Sequence, residues 1–437
     1  MSAYAPTHTT FLADGQRGIG VGIKRLALAY VWITIALSGV VFSEPAPCDA
    51  LMVGAILLLP VVGLTRFTPG IALYLMLWAF IVAGGFIAVT QAGVIAVPAK
   101  HMGITLYLAL SSVVMAAFVL DAPIANVRLI MSAYLVAALV AATTGLIGYF
   151  SLVPGAHDLF VPEDFGRVSG TFKDPNVLGA FLVPALLYVL NSVIRAGVLR
   201  TGLGLLAAPI LLFASLLAFS RGAWLNLAVS LVAYAYLAFG SAASHRQRLK
   251  LIVYVAIGAF LAVGIFAAAL TIPSIAELMN MRASLEQPYD MGPEGRFGGH
   301  VKAFGLMLTH PLGLGALEFA RAYHHEDAHE VYLSMFLNAG WIGGTLYIAV
   351  VLLTLGLGLR AVLRDRGGNG IAAVFLAAFV GMVVEGAVID TDHWRHFYLI
   401  MAMIWGMALA PADRRDQSRA GPYANVARTV TTKALPA

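Results

Sequence analysis

The chain is short of charge and almost without cysteine. Charged residues make up 11% of it, against roughly 25% in a soluble globular domain, while 60% is hydrophobic and the mean hydropathy is +0.86. These values exclude a water-soluble fold. The single cysteine, Cys48, excludes an intramolecular disulfide. The first 20 residues lack an apolar run with a cleavage site, so we expect the first hydrophobic segment to be an uncleaved anchor.

Long hydrophobic runs are what the chain has in place of charge. Stretches of about 20 apolar residues, long enough to cross a bilayer, recur throughout. Backbone polar groups in lipid must be satisfied within each segment, so these runs are helices. We predict one all-α polytopic membrane domain over residues 1–437, with about twelve spans. The spans are 26–43, 50–65, 71–90, 103–120, 128–148, 177–194, 202–219, 222–240, 251–272, 334–359, 370–389 and 396–411.

The placement of charge predicts the orientation. Of the 27 Lys and Arg residues, 18 fall on the side of the N-terminus, and 16 of the 22 acids fall on the opposite side. Because cytoplasmic loops are rich in Lys and Arg, residues 1–25 and the tail 412–437 are predicted to be cytoplasmic, the tail as a disordered end. The two long connections, 149–176 and 273–330, are then outside. The net charge of +5 thus reflects insertion, and no nucleic-acid partner is expected.

The first outer loop and the turn near residue 220 carry candidate cationic sites. Arg221 sits in a short turn between two spans, where an arginine is costly unless it is paired or faces a cavity. A snorkelling interfacial arginine is the alternative. Arg167 and Lys173 of loop 149–176 are either binding residues or solvated charges. Asp174, followed by Pro175, is typical of a helix start.

The second outer loop, between the ninth and tenth predicted spans, concentrates histidine. It holds five of the chain's eleven histidines, and His329 lies where the tenth span begins. If the helix begins near Asp327, His329 and Tyr332 share one face. A histidine with a neighbouring acid suits proton abstraction near neutral pH. Arg296 precedes it as a candidate cation for phosphate oxygens.

The same stretch also contains a formal zincin pattern, His325-Glu326-x-x-His329. A catalytic zinc site of that kind needs both histidines on one long helix and a third ligand. The pattern instead lies at a loop-to-span junction with no evident third ligand. A zinc peptidase is therefore the weakest of the readings, and no metal or other cofactor is expected.

Several of these segments resemble the O-antigen ligase and polysaccharide polymerase superfamily. The resemblance covers roughly 160–345 and depends on the order of its motifs, while the first five spans match in hydropathy and count. Phe42–Asp49 is similar to the first outer loop of polymerase-like members. The matching motifs are Arg167–Gly179, Ser220–Trp224, Arg296, His310–Gly315, His329 and Ala339–Gly343.

The resemblance implies a metal-independent, inverting glycosyltransferase of the GT-C type in the bacterial inner membrane. Its donor would be an undecaprenyl-diphosphate-linked glycan, and its acceptor a lipid A-core sugar or another lipid-linked glycan. Arg221 and Arg296, with Arg167, would hold the diphosphate, and His329 would activate the acceptor hydroxyl. Lys173, Glu330 and Tyr332 would support them. Glu330 departs from the family, in which Asn or Ser often follows the histidine.

A twelve-span transporter or flippase is the alternative function. Its motivation is Glu385, an acid within the eleventh predicted span, since buried acids often mark coupling sites. We expect Glu385 instead to pair with an outer arginine such as Arg395. The chain also lacks the internal repeat of many transporters, and its connection at 195–201 is short, which favours an outward-facing site.

Overall fold

The structure is a computed structural model that describes residues 9–161, 166–196, 202–242, 244–283, 292, 295–365 and 368–411. Within these ranges the chain is helical, and its one strand-like feature is a bridge between Val41 and Phe172. The all-α prediction is therefore confirmed. The predicted tail 412–437 lies outside the described residues, as do parts of the two long loops.

The helices follow one another with short connections. The first half of the chain forms α1 (Thr9–Ala36), α2 (Pro47–Val61), α3 (Pro69–Val89), α4 (Ala96–Asp121), α5 (Pro123–Tyr149), α6 (Ala156–Phe160), α7 (Pro175–Ala196) and α8 (Gly202–Leu217). The second half forms α9 (Arg221–Ser241), α10 (His245–Ala269), α11 (Pro273–Ala283), α12 (Arg296–Thr309), α13 (Glu318–Ala322), α14 (Val331–Arg364), α15 (Ile371–Glu385) and α16 (Arg395–Leu409). A 3-10 turn, Leu37–Gly39, follows α1.

Every predicted span coincides with one of these helices. In the described ranges, eight helices are long and apolar enough to cross a membrane: α1, α3, α4, α5, α7, α9, α10 and α14. Four shorter apolar helices, α2, α8, α15 and α16, correspond to the other four spans. A 15-residue helix is about 22 Å long, less than the ~30 Å of a hydrocarbon core. The chain is thus an all-α polytopic membrane protein, and the number of crossings stays a prediction.

The centre of the bundle is formed by helices that are apolar on all sides. Nearly every residue of α16 is buried, and α15 and the second half of α4 are similarly enclosed. The closest packed pairs are α15 with α9, α14 with α3 and α16 with α4. Helices buried on every face need no polar stripe, which explains their uniform hydrophobicity.

Helix α7 begins where the sequence predicted. The Asp174 carboxylate accepts a hydrogen bond from the Asn176 backbone N–H at 2.7 Å, and Pro175 occupies the first helical position. Capping of this kind satisfies a backbone donor that the helix itself cannot. It places the loop that carries Arg167 and Lys173 at the end of the bundle.

Helix α14 is broken at Gly340, whose φ of 68° and ψ of −175° are open only to glycine. The backbone N–H of Trp341 donates to Pro311 O at 2.9 Å, and that of Leu314 donates to Leu337 O at 2.7 Å. The segment His310–Gly315 therefore packs into the break. This anchors the second long loop against the bundle.

The segment 273–330 is more structured than a plain loop. It contains α11, α12 and α13, although 284–291 and 293–294 lie outside the described residues. The expected helix start near Asp327 is wrong, because α14 begins at Val331 with Glu330 as its N-cap. His329 is therefore not on a helix, and it does not share a helical face with Tyr332.

Candidate functional site

His329 lies in the irregular stretch just before α14, between two carboxylates. Its Nε2 is 3.5 Å from Glu326 Oε2, and its Nδ1 is 3.9 Å from Asp390 Oδ2. The backbone at His329 has a φ of 50°, the left-handed region that non-glycine residues rarely adopt. Such backbone outliers are concentrated at functional sites. The imidazole is held at the surface of the bundle and is one-third exposed, at 33%.

The surroundings of His329 favour its neutral form. Burial lowers the pKa of His329 below its ordinary value, and the Arg296 guanidinium lowers it further, against the opposing charge of Glu326. The pKa of His300 is lowered by the same two causes, burial and Arg296. A neutral imidazole is the form that can accept a proton, so the geometry suits a general base.

Arg296 lies close enough to His329 for its charge to affect the imidazole, and its predicted role in binding phosphate stays a prediction. It is the first residue of α12, and its buried Nε has no hydrogen-bond partner among the described residues. Its charge acts on both His329 and His300. A guanidinium with donor capacity left over is suited to an anionic oxygen.

Asp390 connects His329 to the interior. Burial and the neighbouring Asp392 raise the pKa of Asp390 to about 7, so this carboxyl is neutral more often than an ordinary aspartate. Asp392 behaves in the opposite way: burial opposes ionisation, but His393 and a hydrogen bond from His101 hold its pKa below the usual range. Both carboxyls line a cavity, whereas His329 lies beside it.

The cavity has a volume of ≈1000 Å³ and is lined by residues from both halves of the chain. Its apolar wall includes Ile35, Met52, Ile104, Leu108, Met115 and Leu399. Its charged and histidine lining, among the described residues, is Glu44, Lys100, His101, Arg167, Lys173, Asp174, Asp390, Asp392, His393, Arg395 and His396. The cavity is therefore amphiphilic, with an apolar part between the helices and a polar part at their ends.

Arg167 belongs to this cavity and is not a solvated charge. The side chain is buried, at 6% exposure; its Nε donates to Ala218 O at 2.8 Å, and its Nη2 donates to Asn176 Oδ1 at 2.7 Å. It thereby connects the first long loop to the turn before α9. Lys173 also lines the cavity but is exposed, held through its backbone N–H to Val41 O at 2.9 Å.

Arg221 is placed by the turn between α8 and α9. Ser220 caps α9 by accepting from Ala223 N at 3.2 Å, and Arg221 is its half-buried first residue. Because Arg167 donates to Ala218 in the same turn, the two predicted arginine segments meet. Arg167 and Lys173 line the cavity, whereas Arg221 and Arg296 are not among its described lining residues.

Glu330 and Tyr332 have structural contacts. The Glu330 carboxylate caps α14 by accepting from the backbone of Tyr332 and Leu333, at 3.3 and 2.7 Å. The Tyr332 hydroxyl donates to Val383 O at 2.6 Å, joining α14 to α15. Glu330 is thus the N-cap of α14.

The expected pairing of Glu385 with Arg395 is wrong. Glu385 is fully buried and accepts from Asn226 Nδ2 at 2.7 Å, between α15 and α9. Arg395 instead makes a bidentate pair with Asp49, with both N–O distances at 2.7 Å, and Glu44 lies 3.8 Å away. The sequence does not give the rotation of each helix, which decides the partner of a buried charge.

Three residues at the cavity wall were not predicted from the sequence: His101, Asp392 and His393. His101 Nε2 is 3.1 Å from Asp392 Oδ2, and the rings of His101 and His393 stack with centroids 3.9 Å apart. Asp392 and His393 belong to the α15–α16 loop, residues 386–394, while His101 is in the first turns of α4. The adjacency of Asp392 and His393 in a short polar segment was the available signal.

The formal zincin pattern does not form a zincin site. His325 to His329 are not helical, and Glu326 lies between the histidines, 3.9 Å from His325 Nε2.

No family model matches the chain, and no curated protein matches it. A function for this protein must therefore be inferred from the residues of the site themselves.

Proposed function

We propose that the protein is an inverting glycosyltransferase of the bacterial inner membrane. It would move a glycan from an undecaprenyl-diphosphate carrier to an acceptor sugar hydroxyl at the periplasmic face. The observation that carries the proposal is the amphiphilic cavity, which Asp390 links to His329 at 3.9 Å. A lipid diphosphate divides in the same way, into an apolar tail and an anionic head.

The arginines would bind the diphosphate head group of the donor. Arg167 is fixed by two hydrogen bonds in the cavity wall, and Lys173 lies in the same wall. Arg296 and Arg221 are the first residues of α12 and α9. Guanidinium groups bind phosphate oxygens through paired N–H donors and keep their charge at all working pH values. They would stabilise the charge that develops on the departing diphosphate.

His329 accounts for activation of the acceptor. In the proposed step the acceptor oxygen attacks the anomeric carbon, and the bond from that carbon to the diphosphate oxygen breaks. The bonding electrons leave with the lipid diphosphate, and the hydroxyl proton passes to His329. Glu326, with Oε2 at 3.5 Å from Nε2 of the ring, would stabilise the imidazolium that results.

The acceptor divides the proposal into two forms. A ligase transfers the glycan to a lipid A-core sugar, and a polysaccharide polymerase transfers it to a second lipid-linked glycan. The same proposal includes about twelve membrane spans, a GT-C-type architecture and cytoplasmic termini. Glycan analysis of a deletion strain separates the two forms: a polymerase defect leaves single repeats, whereas a ligase defect leaves polymer on the carrier.

The substitution His329→Ala tests the chemistry. Removing the base is expected to lower transfer by roughly 10²–10⁴-fold, the usual contribution of general base catalysis. The assay uses purified protein with a lipid-linked glycan donor and measures product by gel mobility. His325→Ala is the matched control, because His325 is an exposed histidine four positions earlier.

Wild-type transfer in a folded His329→Ala protein would remove His329 from the mechanism. Ion-coupled uptake into vesicles by the wild-type protein, with no glycan transfer, would favour the transporter alternative. In that case the buried pair of Glu385 and Asn226 becomes the candidate coupling site.

A further inference from the structure

The cavity wall contains a cluster of metal-binding side chains that the proposed mechanism does not use. His101, Asp392 and His393 each offer a ligand atom, and these atoms all lie within 4.8 Å of one another. Two imidazoles and one carboxylate form a donor set typical of first-row transition metals. The residues come from positions about 290 apart in the chain, brought together where α4 meets the α15–α16 loop.

Hydrogen bonds already orient this cluster. The Thr105 hydroxyl donates to His101 O at 3.2 Å, and it lies 3.0 Å from His393 Nε2. Since a hydroxyl has a single proton, which Thr105 donates to His101 O, we assign the proton of the second contact to His393 Nε2. That tautomer leaves a lone pair on His393 Nδ1. Metal-binding histidines commonly donate their second N–H to an oxygen in this way.

The spacing is close to that of a coordination shell. Ligands about 2.0–2.2 Å from a zinc-like ion lie roughly 3.3–3.6 Å apart in a tetrahedron. The 3.1 Å between His101 Nε2 and Asp392 Oδ2 is near this separation. The ligand atom of His393 lies within 4.8 Å of the other two, so it needs to approach by at most about 1.5 Å to complete the set.

The local charge also favours a cation. The carboxylates of Asp327, Asp390 and Asp392 all act electrostatically on His101. Two cations neighbour the cluster in sequence: Arg395 is engaged by Asp49 in a bidentate pair, and Lys100 precedes His101 in the cavity lining. A divalent ion would offset the mutual repulsion of the acids.

We propose that His101, Asp392 and His393 form a binding site for a divalent transition-metal ion of the zinc class. Three protein ligands leave at least one coordination position of the ion open, as in zinc sites whose fourth ligand is water or substrate. All three residues line the cavity, so the remaining ligand would be an oxygen of water or of an anionic occupant. Magnesium and calcium are disfavoured because they prefer oxygen ligands alone.

The site goes beyond the proposed glycosyl transfer, for which the family resemblance implies no metal. Its test is therefore metal binding and not activity. Purified protein is stripped with a chelator and titrated with Co²⁺ and Zn²⁺, and binding is followed by the visible absorption of Co²⁺ and by metal content. We expect a single ion per chain, with Zn²⁺ displacing Co²⁺.

Matched variants locate the ion. His393→Gln and Asp392→Asn are expected to weaken binding by about 100-fold or more, because loss of an outer-shell partner alone costs about 10–100-fold. Thr105→Val removes the hydroxyl that contacts His393 and is expected to weaken metal binding by about 10–100-fold. His325→Gln, from the zincin pattern, is expected to bind like the wild type.

Three results would overturn the proposal. They are absence of bound metal in the wild type, wild-type affinity in both His393→Gln and Thr105→Val, and loss of binding in His325→Gln instead. The last result would place the ion at His325 and His329. Because none of these readouts involves glycan transfer, a failed metal site and a failed transferase assignment are told apart.

Discussion

At the scale of single residues, the pKa of His329 depends on charges from its own loop and from α12. Glu326 precedes it on the same loop, and Arg296 acts on it from α12 together with His300. Burial and the Arg296 guanidinium outweigh the negative charge of Glu326, so the pKa of His329 is lowered from its ordinary value of 6.5. The base then stays neutral to lower pH than a free histidine.

This predicts how transfer depends on pH. A base works when it is unprotonated, so the acidic limb of kcat/KM is expected below pH 6.5, at the lowered pKa of His329. In Arg296→Gln the loss of positive charge raises that pKa, and the limb moves to higher pH. In Glu326→Gln the loss of negative charge lowers it, and the limb moves to lower pH. Rates measured across the pH range with saturating acceptor and limiting donor give both shifts.

The opposed pair of variants contains its own control. A variant that merely damages the protein lowers the rate at every pH and leaves the limb in place. If neither variant moves the limb, or both move it in the same direction, His329 is not the group that titrates.

At the scale of elements, the break in α14 at Gly340 fixes the position of the second long loop. A Cβ at Gly340 would lie 2.7 Å from Pro311 O and 2.9 Å from the Leu312 carbonyl carbon. Backbone of this conformation costs a non-glycine residue about 1–3 kcal/mol before any clash. We therefore expect Gly340→Ala to reduce the free energy of unfolding by roughly 2 kcal/mol or more, measured by thermal unfolding in detergent.

Gly356→Ala in the same helix is the matched control. Gly356 is helical and has open space around the position of a Cβ, so alanine there is expected to stabilise the helix by about 0.5–1 kcal/mol. Equal melting temperatures for Gly340→Ala and the wild type would show that the break is not needed for stability.

The elements also show which features were open to prediction. The apolar helices could be predicted because an apolar run in lipid satisfies its backbone hydrogen bonds by forming a helix. The pair Asp174-Pro175 correctly predicted the start of α7. The start of α14 was placed four residues too early, because the cap by Glu330 is visible only in its contacts with the next turn. His101 and Asp392 were missed because they come together by the packing of α4 against α16, and no local pattern records that packing.

At the scale of the whole molecule, the polar contacts of the candidate site lie together at one end of an apolar bundle. The pairs of Arg395 with Asp49, Arg167 with Ala218, and His329 with Asp390 all join segments that precede or follow spans on the predicted outer side. The cavity opens among the same segments. The orientation of the bundle therefore decides whether a periplasmic carrier can reach the site.

Cysteine labelling tests that orientation directly. The single native thiol, Cys48, is buried and gives little background. The charge asymmetry places Leu152, 68% exposed after α5, outside, and the exposed His245 at the start of α10 inside. A membrane-impermeant maleimide applied to intact spheroplasts is therefore expected to label Leu152→Cys at once and His245→Cys only after permeabilisation. The reverse order would turn the cavity toward the cytoplasm, where periplasmic transfer from a lipid-linked donor cannot occur.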